Sequence, residues 1–238
     1  MKTIAIGIGE NKNVLNAIKS IENENINFKL VHDDEDLINA ILNPDIDAVI
    51  RGSLKASKVM KNLKEKFKDK FIFRATYIID NNKEFLLTPV GIDEGDSLEN
   101  KLNIAIECGN FLTKQGKIPK IAILADGRKG DYGRSIRINE SIEESEKLKE
   151  LIDKKTKFDV KNYYILIEQA LKDKCNIIIA PDGIFGNVLF RSLVLINSWP
   201  SYGAITFGLS QIYIDTSRDQ SIEGYIRSID LAYNLSNI

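Results

Sequence analysis

The sequence has very few of the residues that build disulfide frameworks and metal sites. Its 238 residues include two cysteines, Cys108 and Cys175, and a single histidine, His32. The cysteines lie far apart and neither belongs to a CxxC pair, which argues against a zinc knuckle and fits a reducing, cytoplasmic compartment. One histidine excludes a multi-histidine metal site. We therefore predict no bound metal, and we interpret His32 as a surface cap or ion-pair partner and both cysteines as core residues.

The sequence also lacks an excess of either charge and any long hydrophobic run. Lys and Arg total 33, Asp and Glu total 34, and the net charge is −1. This balance gives no basic surface for nucleic acid and no polybasic patch for a membrane. No apolar run approaches the roughly 20 residues that a membrane span needs, and the first residues resemble a strand rather than a signal peptide. We expect neither nucleic acid nor a membrane as a partner.

Short β-rich segments alternate with helical segments in the first part of the chain. Three predicted strands are each followed by a predicted helix, at residues 3–8, 13–21, 28–31, 33–42, 46–50 and 55–67. This βαβα alternation predicts a parallel sheet covered by helices. Two further β segments, 71–79 and 84–88, flank Asp80-Asn81-Asn82-Lys83, which is typical of a hairpin turn.

A long predicted helix at 98–114 ends in a Gly- and Pro-containing segment, 115–119, which we interpret as a domain boundary. A second α/β series follows it. Ser141 and Glu144 have the spacing of a capping box, and Ile222, Ile226, Ile229 and Tyr233 are predicted to share one face of the last helix. The strands of this series are predicted at 121–125, 176–180, 202–207 and 211–215, and the helices at 141–155, 164–172, 187–196 and 222–235.

Residues directly after the strands are the first candidates for a site, because ligands bind beyond the carboxyl ends of parallel strands. The loop of residues 7–10 has two glycines but no complete GxGxxG, and we interpret it as a tight turn. Arg51, Gly52 and Ser53 follow the third strand. A buried arginine is costly without an anionic partner, and Ser53 can cap the next helix. An anion site and a turn with a solvated arginine both remain open.

A second candidate is the loop of residues 126–134, which has three glycines, two arginines and a lysine. Glycine exposes backbone N–H groups and arginine offers a planar fork that matches phosphate or carboxylate. We therefore favour anion binding by Arg128, Gly130 and Arg134 over a mobile surface loop.

The third and fourth candidates follow later strands. Asp182, after the strand at 176–180, is a candidate acid, base or cation ligand, and Asn187 is predicted to cap the next helix. The alternative for this segment is an ordinary turn and cap. Thr216, Ser217 and Arg218 precede the last helix. No histidine is evident to activate Ser217, so we expect it to donate a hydrogen bond; taken alone, this segment would be an N-cap.

Three of these segments, in order, resemble those of phosphate acetyl- and butyryltransferases. Residues 180–191, with Asp182, Gly186, Asn187 and Arg191, resemble the family's PD…GN…YK segment. Residues 202–208 and 214–218 are similar to its G…G…P…TSR ending, and residues 48–53 to its KG strand end, with arginine in place of lysine. The short length and the 127–134 loop look most like a methanogen branch called MtxX, or methanogenesis marker protein 4, described as methyltransferase-related.

The resemblance implies an α/β fold like that of isocitrate and isopropylmalate dehydrogenases. It has two domains with mainly parallel sheets, a cleft between the domains that binds the substrate, and a homodimeric assembly. The implied first domain is 1–116 plus 210–238, and the second is 117–209. Ser217 and Arg218 map onto the family's active-site pair. The substrate contacts that we predict, from the residues and the resemblance together, are Arg51, Gly52, Ser53, Arg128, Gly130, Arg134, Asp182, Gly186, Asn187, Arg191 and Thr216.

One departure leaves the function open. Where the acyltransferases have an acid thought to help deprotonate the thiol of coenzyme A, this chain has Gly224. Three hypotheses follow. The chain is a transferase for a small anionic substrate, phosphorylated or bound to coenzyme A, with no covalent cofactor. Or it is a component of a methyl-transfer system, with a partner protein that supplies the methyl group from a corrinoid. Or it is a binding protein that has lost the base. Fold alone does not choose among them.

Overall fold

The computed structural model describes residues 1–21, 24–81 and 83–237. The chain forms two compact units: unit 1 is Met1–Ile72 with Ser201–Ile238, and unit 2 is Phe73–Pro200. The sequence-based division differs, since it assigned residues 201–209 to the second domain and residues 73–116 to the first. Residues 73–116 lie in unit 2 because their second strand pairs with a strand later in that unit, as Leu86 and Ile177 illustrate.

The elements follow one another along the chain in this order: β1 (Lys2–Gly7), α1 (Asn13–Ser20), β2 (Ile26–Val31), α2 (Asp34–Leu42), β3 (Ala48–Ile50), α3 (Ala56–Lys66), β4 (Phe73–Asp80), β5 (Lys83–Thr88), α4 (Leu98–Lys114), β6 (Lys120–Leu124), α5 (Ile136–Lys155), β7 (Asp159–Tyr164), α6 (Ile167–Lys172), β8 (Ile177–Ile179), α7 (Gly183–Phe190), β9 (Ser201–Phe207), β10 (Ile212–Asp215) and α8 (Ile222–Leu235).

The strands of unit 1 lie in the order β2-β1-β3-β10-β9. The β1–β2, β1–β3 and β3–β10 pairs are parallel, and only β9 runs antiparallel to its neighbour β10. This confirms the predicted parallel sheet. One side of it packs on α2 and α3 through a cluster of almost fully buried residues that includes Val49, Leu37, Leu63 and Tyr213. Strands buried in this way read as continuous apolar runs, which is why β1 and β3 were recognisable.

Unit 2 has the strand order β4-β5-β8-β6-β7. β4 and β5 pair antiparallel, as the hairpin prediction required, and the remaining pairs are parallel. Asn82 of the predicted turn lies outside the described residues. The units share the mainly parallel α/β construction that the resemblance implies.

The prediction of a helix over residues 164–172 was wrong at its start. Residues 159–164 form β7, and α6 begins only at Ile167. The register of β7 against β6 shifts between Ile123 and Leu124, so that Tyr163 is skipped in the pairing. Val160 and Tyr163 are therefore both buried although they are three residues apart. A spacing of three between buried residues is typical of a helix, and it differs from the alternation of buried and exposed residues expected of a strand.

Two predicted helix starts were also wrong. α5 begins five residues before Ser141, and its cap is Ser135, whose Oγ accepts a hydrogen bond from the Ile138 N–H at 3.2 Å. The Oγ of Ser141 accepts instead from the Asp126 N–H at 2.9 Å, so there is no capping box at Ser141. α7 begins at Gly183 rather than at Asn187, because Asp182 caps it by accepting from the Phe185 N–H at 2.7 Å.

The last helix has its predicted bounds but a different buried face. Of the four residues predicted to share that face, Ile229 is fully buried and the other three are partly exposed. The buried face of α8 instead carries Gly224, Tyr225, Ser228, Ile229, Leu231 and Ala232. Several residues of this buried face are small or polar, so counting apolar side chains along the helix does not identify it. None of the described helices is both long and apolar enough to cross a membrane.

Gly52 holds the loop after β3 against the loop after β1. Its φ is +60°, and a Cβ there would lie 1.9 Å from the carbonyl oxygen of Gly7. Only glycine therefore allows the two backbones to touch at this edge of the sheet.

Replacing Gly52 by alanine should lower the free energy of unfolding by more than about 1–2 kcal/mol, since the overlap with Gly7 adds to the cost of the left-handed backbone. The matched control is Gly116→Ala, where φ is +73° and nothing lies within 4 Å of the added Cβ. Urea denaturation of both variants measures the difference. Equal losses would mean that the close approach contributes nothing.

Candidate functional site

Hydrogen bonds join the loops that follow β1, β3 and β10. The Thr216 hydroxyl donates to the carbonyl oxygen of Gly52 at 2.8 Å. The Ser53 N–H donates to the Gly7 carbonyl oxygen at 3.1 Å, and the Gly9 N–H donates to Ser53 Oγ at 2.7 Å. Ser53 thus links two loops, and the prediction that it caps the next helix was wrong. Three neighbouring strand ends form one fixed edge in unit 1.

Arg51 and Asp215 form a buried ion pair at this edge. Arg51 is 4% exposed and Asp215 is 8% exposed. The Arg51 Nε donates to the Asp215 carboxylate, and its Nη1 donates to the carbonyl oxygen of Leu54. Buried charges are tolerated only when they are paired and hydrogen-bonded. The pair with Asp215 therefore explains why an arginine can directly follow an apolar strand. These two bonds direct the Arg51 guanidinium toward protein groups. This arrangement suits a residue that positions its neighbours, whereas we had predicted a substrate contact.

The loop that carries Ser217 and Arg218 is held by its backbone. The Tyr225 hydroxyl lies 3.1 Å from the carbonyl oxygen of Ser217 and 3.0 Å from that of Arg218, and it can donate to either. Burial raises the pKa of Tyr225 to about 12, so the hydroxyl remains a donor at neutral pH. The Asn11 side-chain N–H₂ donates to the Arg218 and Gln220 carbonyl oxygens at 3.1 and 3.2 Å.

The side chains of this loop are left available. Ser217 is partly exposed and the Arg218 side chain is 46% exposed, with its Nε 3.7 Å from the Asp219 carboxylate. The cap of α8 is Ser221, whose Oγ accepts from the Gly224 N–H at 3.1 Å, so Ser217 does not serve as the cap. A fixed backbone that presents an exposed cation and a hydroxyl is suited to binding a ligand.

A cavity of about 230 Å³ adjoins Arg218 within unit 1. It opens at the carboxyl ends of β1, β2 and β3, and Gly9 and His32 contribute to its wall. Its cations are Arg218, Lys55 and Lys58. Lys55 is the N-cap residue of α3 and makes no side-chain capping bond. The positive end of the α3 dipole therefore adds to the three cationic side chains.

Three acids also line the cavity, and two of them are already bound to neighbouring groups. Asp33 accepts from the Asp36 N–H at 2.8 Å and caps α2, so His32, interpreted above as a surface cap or ion-pair partner, is not the cap of this helix. Asp34 accepts from the Asn62 side chain and lies 3.6 Å from the Lys58 Nζ. The third acid, Glu10, is exposed. Arg218, Lys55 and Lys58 nevertheless keep exposed side chains, so an incoming anion would meet all three cations.

Several of these residues were missed by sequence reasoning. His32, Lys55 and Lys58 line the cavity, and Asn11 and Tyr225 position the Arg218 loop. The strand-end rule would have found His32 and Lys55, because both follow strands of the same parallel sheet. No sequence signal marks Tyr225, whose partners are backbone oxygens.

In unit 2, the structure places Arg128, Gly130 and Arg134 in one exposed loop after β6. Asp131 organises this loop, since its carboxylate accepts from the Arg128 N–H at 2.8 Å and lies 3.2 Å from the Arg134 Nη1. The Arg134 side chain is 72% exposed. Both arginines remain open to solvent, as an anion-binding loop requires.

The remaining predicted contacts lie on or beside α7. Asn187 donates from its side-chain nitrogen to the Val90 carbonyl oxygen at 2.9 Å. A Cβ on Gly186 would lie 1.8 Å from the Pro89 carbonyl oxygen, so glycine is needed for close packing. Gly186 and Asn187 therefore fasten α7 to the loop after β5. Asp182 is the cap, and Arg191 is exposed just beyond the end of α7.

Neither cysteine has the character of a nucleophile. Burial raises the pKa of the Cys108 thiol far above its ordinary value, and burial also raises that of Cys175. Among the described residues, no group of three or more His, Cys, Asp and Glu side chains is arranged to hold a metal ion.

Comparison with known proteins identifies the family. No family model matches the chain. A protein of Methanocaldococcus jannaschii named "uncharacterized methyltransferase" is 40% identical over 234 residues, which is 94% of each chain. A protein of Methanosarcina barkeri named "putative methyltransferase mtx subunit X" is 32% identical over 92% of this chain and 81% of its own length. The chain belongs to the mtx subunit X family.

Solved structures similar to this mtx subunit X family member show its fold. A branched-chain phosphotransacylase from Enterococcus faecalis has a TM-score of 0.73 at 17% identity and covers 99% of both chains. A beta-decarboxylating dehydrogenase from Thermococcus kodakarensis has a TM-score of 0.59 at 12% identity, over 99% of this chain and 82% of its own. The α/β fold is thus shared with phosphotransacylases and with a dehydrogenase, as the resemblance implied.

Replacing Asp215 by asparagine should lower the free energy of unfolding by about 3–5 kcal/mol, because it leaves the Arg51 charge buried without a counter-ion. Asp153→Asn is the control, since Asp153 pairs with Lys149 on α5 and both side chains are well exposed, at 46% and 39%. That exposed pair should contribute almost nothing. Chemical denaturation compares the two, and a small loss in the Asp215 variant would contradict the buried-pair account.

Proposed function

We propose that this protein is a group-transfer enzyme whose small anionic substrate, phosphorylated or bound to coenzyme A, binds at the strand ends of unit 1. The observation that carries the proposal is the placement of Arg218. Its backbone is fixed by Tyr225 and Asn11, while its side chain borders a cavity that also contains Lys55. An arginine whose backbone is fixed beside the cavity before the substrate arrives can supply the charge stabilisation that a transfer reaction needs.

In this proposal Arg218 neutralises the substrate anion, and the Ser217 hydroxyl donates a hydrogen bond to the reacting oxygen or to the leaving group. Thr216 and Gly52 keep the two loops in register through their hydrogen bond. Most of the rate enhancement would come from positioning and charge stabilisation. The unit 2 residues named above remain predicted substrate contacts. The substrate-binding cleft that the resemblance implies also remains a prediction.

Gly224 bears on which reaction takes place. It lies in the first turn of α8, where its N–H donates to the Ser221 cap and a Cβ would lie 2.3 Å from the Gln220 side chain. This position therefore supplies no carboxylate to deprotonate a thiol. For that reason we propose that this protein does not transfer an acyl group to coenzyme A in the way that uses the family's acid to deprotonate the thiol.

Methyl transfer is the second candidate, and the names of the relatives favour it. Two proteins that share more than 30% of their residues with this chain over most of its length are named methyltransferases. In this alternative a partner protein would supply the methyl group from a corrinoid, and the anion site would hold the acceptor. Recovery of a corrinoid protein with the tagged chain from native extract would favour it over acyl transfer.

The first test is thermal unfolding with phosphate, acetyl phosphate, butyryl phosphate, coenzyme A, acetyl-coenzyme A, coenzyme M and S-adenosylmethionine. A ligand at a hundred times its dissociation constant should add about 2.7 kcal/mol of stability. We expect one of the phosphorylated or coenzyme A ligands to stabilise the protein, and Arg218→Ala to abolish the effect.

A matched pair on one helix controls for net charge. Lys58 and Lys61 lie on α3 with side chains that are each 75% exposed, and only Lys58 lines the cavity. Lys58→Gln should weaken the stabilisation and Lys61→Gln should not. Equal effects of the two variants, or full stabilisation of the Arg218 variant, would contradict the assigned site. Stabilisation only by coenzyme M or S-adenosylmethionine would favour methyl transfer.

We also propose the homodimer that the resemblance implies, with α7 in the contact. Ile184 and Val188 on α7 and Leu195 and Ile196 in the π-helical turn that follows are all exposed. An apolar surface of this kind on one element is typical of a subunit contact.

Ile184→Glu should therefore convert the dimer to a monomer, because a charge would be buried in an apolar contact. Ile136→Glu, at the exposed start of α5, is the control and should leave the mass unchanged. Sedimentation velocity measures both. A monomeric wild-type protein, or a dimeric Ile184 variant, would exclude α7 as the contact.

A further inference from the structure

A second cavity lies in unit 2, at the amino-terminal ends of β5, β6 and β8. Its volume is about 370 Å³, larger than that of the cavity beside Arg218 and within the range of small-molecule sites. It is at the end of the strands opposite to the one where the predicted substrate contacts of unit 2 follow β6 and β8. The proposed function therefore gives this cavity no role.

Part of the lining of this cavity is apolar and largely buried. Leu112 and Cys175 are 2% and 3% exposed, and Leu171 adds a partly exposed wall. Because burial raises the pKa of the Cys175 thiol, the group is neutral and behaves as a small hydrophobic side chain. A short hydrocarbon chain would be well accommodated against these three residues.

The charged residues of the lining have an excess of positive charge. Glu84 is the acid in the lining, and it accepts hydrogen bonds from the Lys117 Nζ and the Tyr77 hydroxyl, which hold its pKa below the ordinary value although burial opposes this. Lys83 lies 4.0 Å from the Asp80 carboxylate. Within the part of the chain that the structure describes, the Lys174 ammonium has no ion-pair or hydrogen-bond partner. An anion is the ligand that completes this arrangement.

We propose that this cavity binds a short-chain aliphatic anion. The head group, a carboxylate or a phosphate, pairs with Lys174, and the chain lies against Leu112 and Leu171. Neither part is sufficient alone: an exposed ion pair contributes little, and a chain without a charge leaves Lys174 unpaired.

Trp199 gives this site its own spectroscopic signal. It is the single tryptophan of the sequence, and the Lys83 Nζ lies 5.2 Å from the centre of its ring. Lys83 also lines the cavity. A bound anion that attracts Lys83 would change this cation–π contact and with it the tryptophan emission.

The experiment titrates the full-length protein with hexanoate and with hexyl phosphate, using Trp199 fluorescence and isothermal titration calorimetry. We expect saturable binding of at least one of them at concentrations up to about 10 mM. Acetate, which lacks the chain, and hexanamide, which lacks the charge, should bind at least about tenfold more weakly. A stronger response to hexyl phosphate than to hexanoate would identify phosphate as the head group, and the reverse would identify carboxylate.

The control variants lie two residues apart. Lys174→Gln removes the cation at the cavity, and Lys172→Gln removes an exposed cation at the end of α6 that does not line it. Lys174→Gln should weaken binding about tenfold and Lys172→Gln should not. Arg218→Ala should leave this binding unchanged, which separates it from the unit 1 site. No binding to the wild type, equal binding of acetate, or unchanged binding to the Lys174 variant would overturn the proposal.

Discussion

The buried ion pair between Arg51 and Asp215 is the interaction on which the unit 1 edge depends. It joins the end of β3 to the end of β10, two parallel neighbours that are far apart in sequence. Thr216 directly follows Asp215, and its hydroxyl bonds to the residue that follows Arg51. The charge pair and this hydrogen bond together fix where the next two residues, Ser217 and Arg218, emerge from the sheet. Removing either charge would leave the other without compensation in the interior.

The same constraint explains how positioning and binding are divided among the arginines. Arg51 is buried and its charge is satisfied by the protein. Arg218 is half-exposed, and only its backbone is tightly held. A single motif resemblance cannot distinguish these two situations, because both residues are arginines at strand ends. Burial and the direction of the hydrogen bonds decide which one meets a ligand.

Much of the fold could be predicted because its strongest signals are local. Buried parallel strands form apolar runs, and the βαβα alternation of residues 1–67 is confirmed. The failures have physical causes that a sequence does not display. The bulge in β7 imitates helical spacing around Tyr163. α7 starts early because Asp182 caps it, while the Asn187 side chain donates to the Val90 carbonyl oxygen. The candidate site was found in part, since strand ends can be read from the sequence. Tyr225, which holds the backbone of the Arg218 loop, could not be predicted, because its partners are backbone oxygens and these accept from any suitable donor.

The single histidine offers the most direct test of the central claim, that the cavity beside Arg218 binds an anionic substrate. His32 lines that cavity, so its imidazole signals in a ¹H–¹⁵N NMR spectrum are unique and local to it. The proposal predicts that a ligand found to stabilise the protein will shift these signals saturably, and that the shift will disappear in Arg218→Ala. Unchanged imidazole signals while the ligand binds would place the substrate elsewhere and contradict the account.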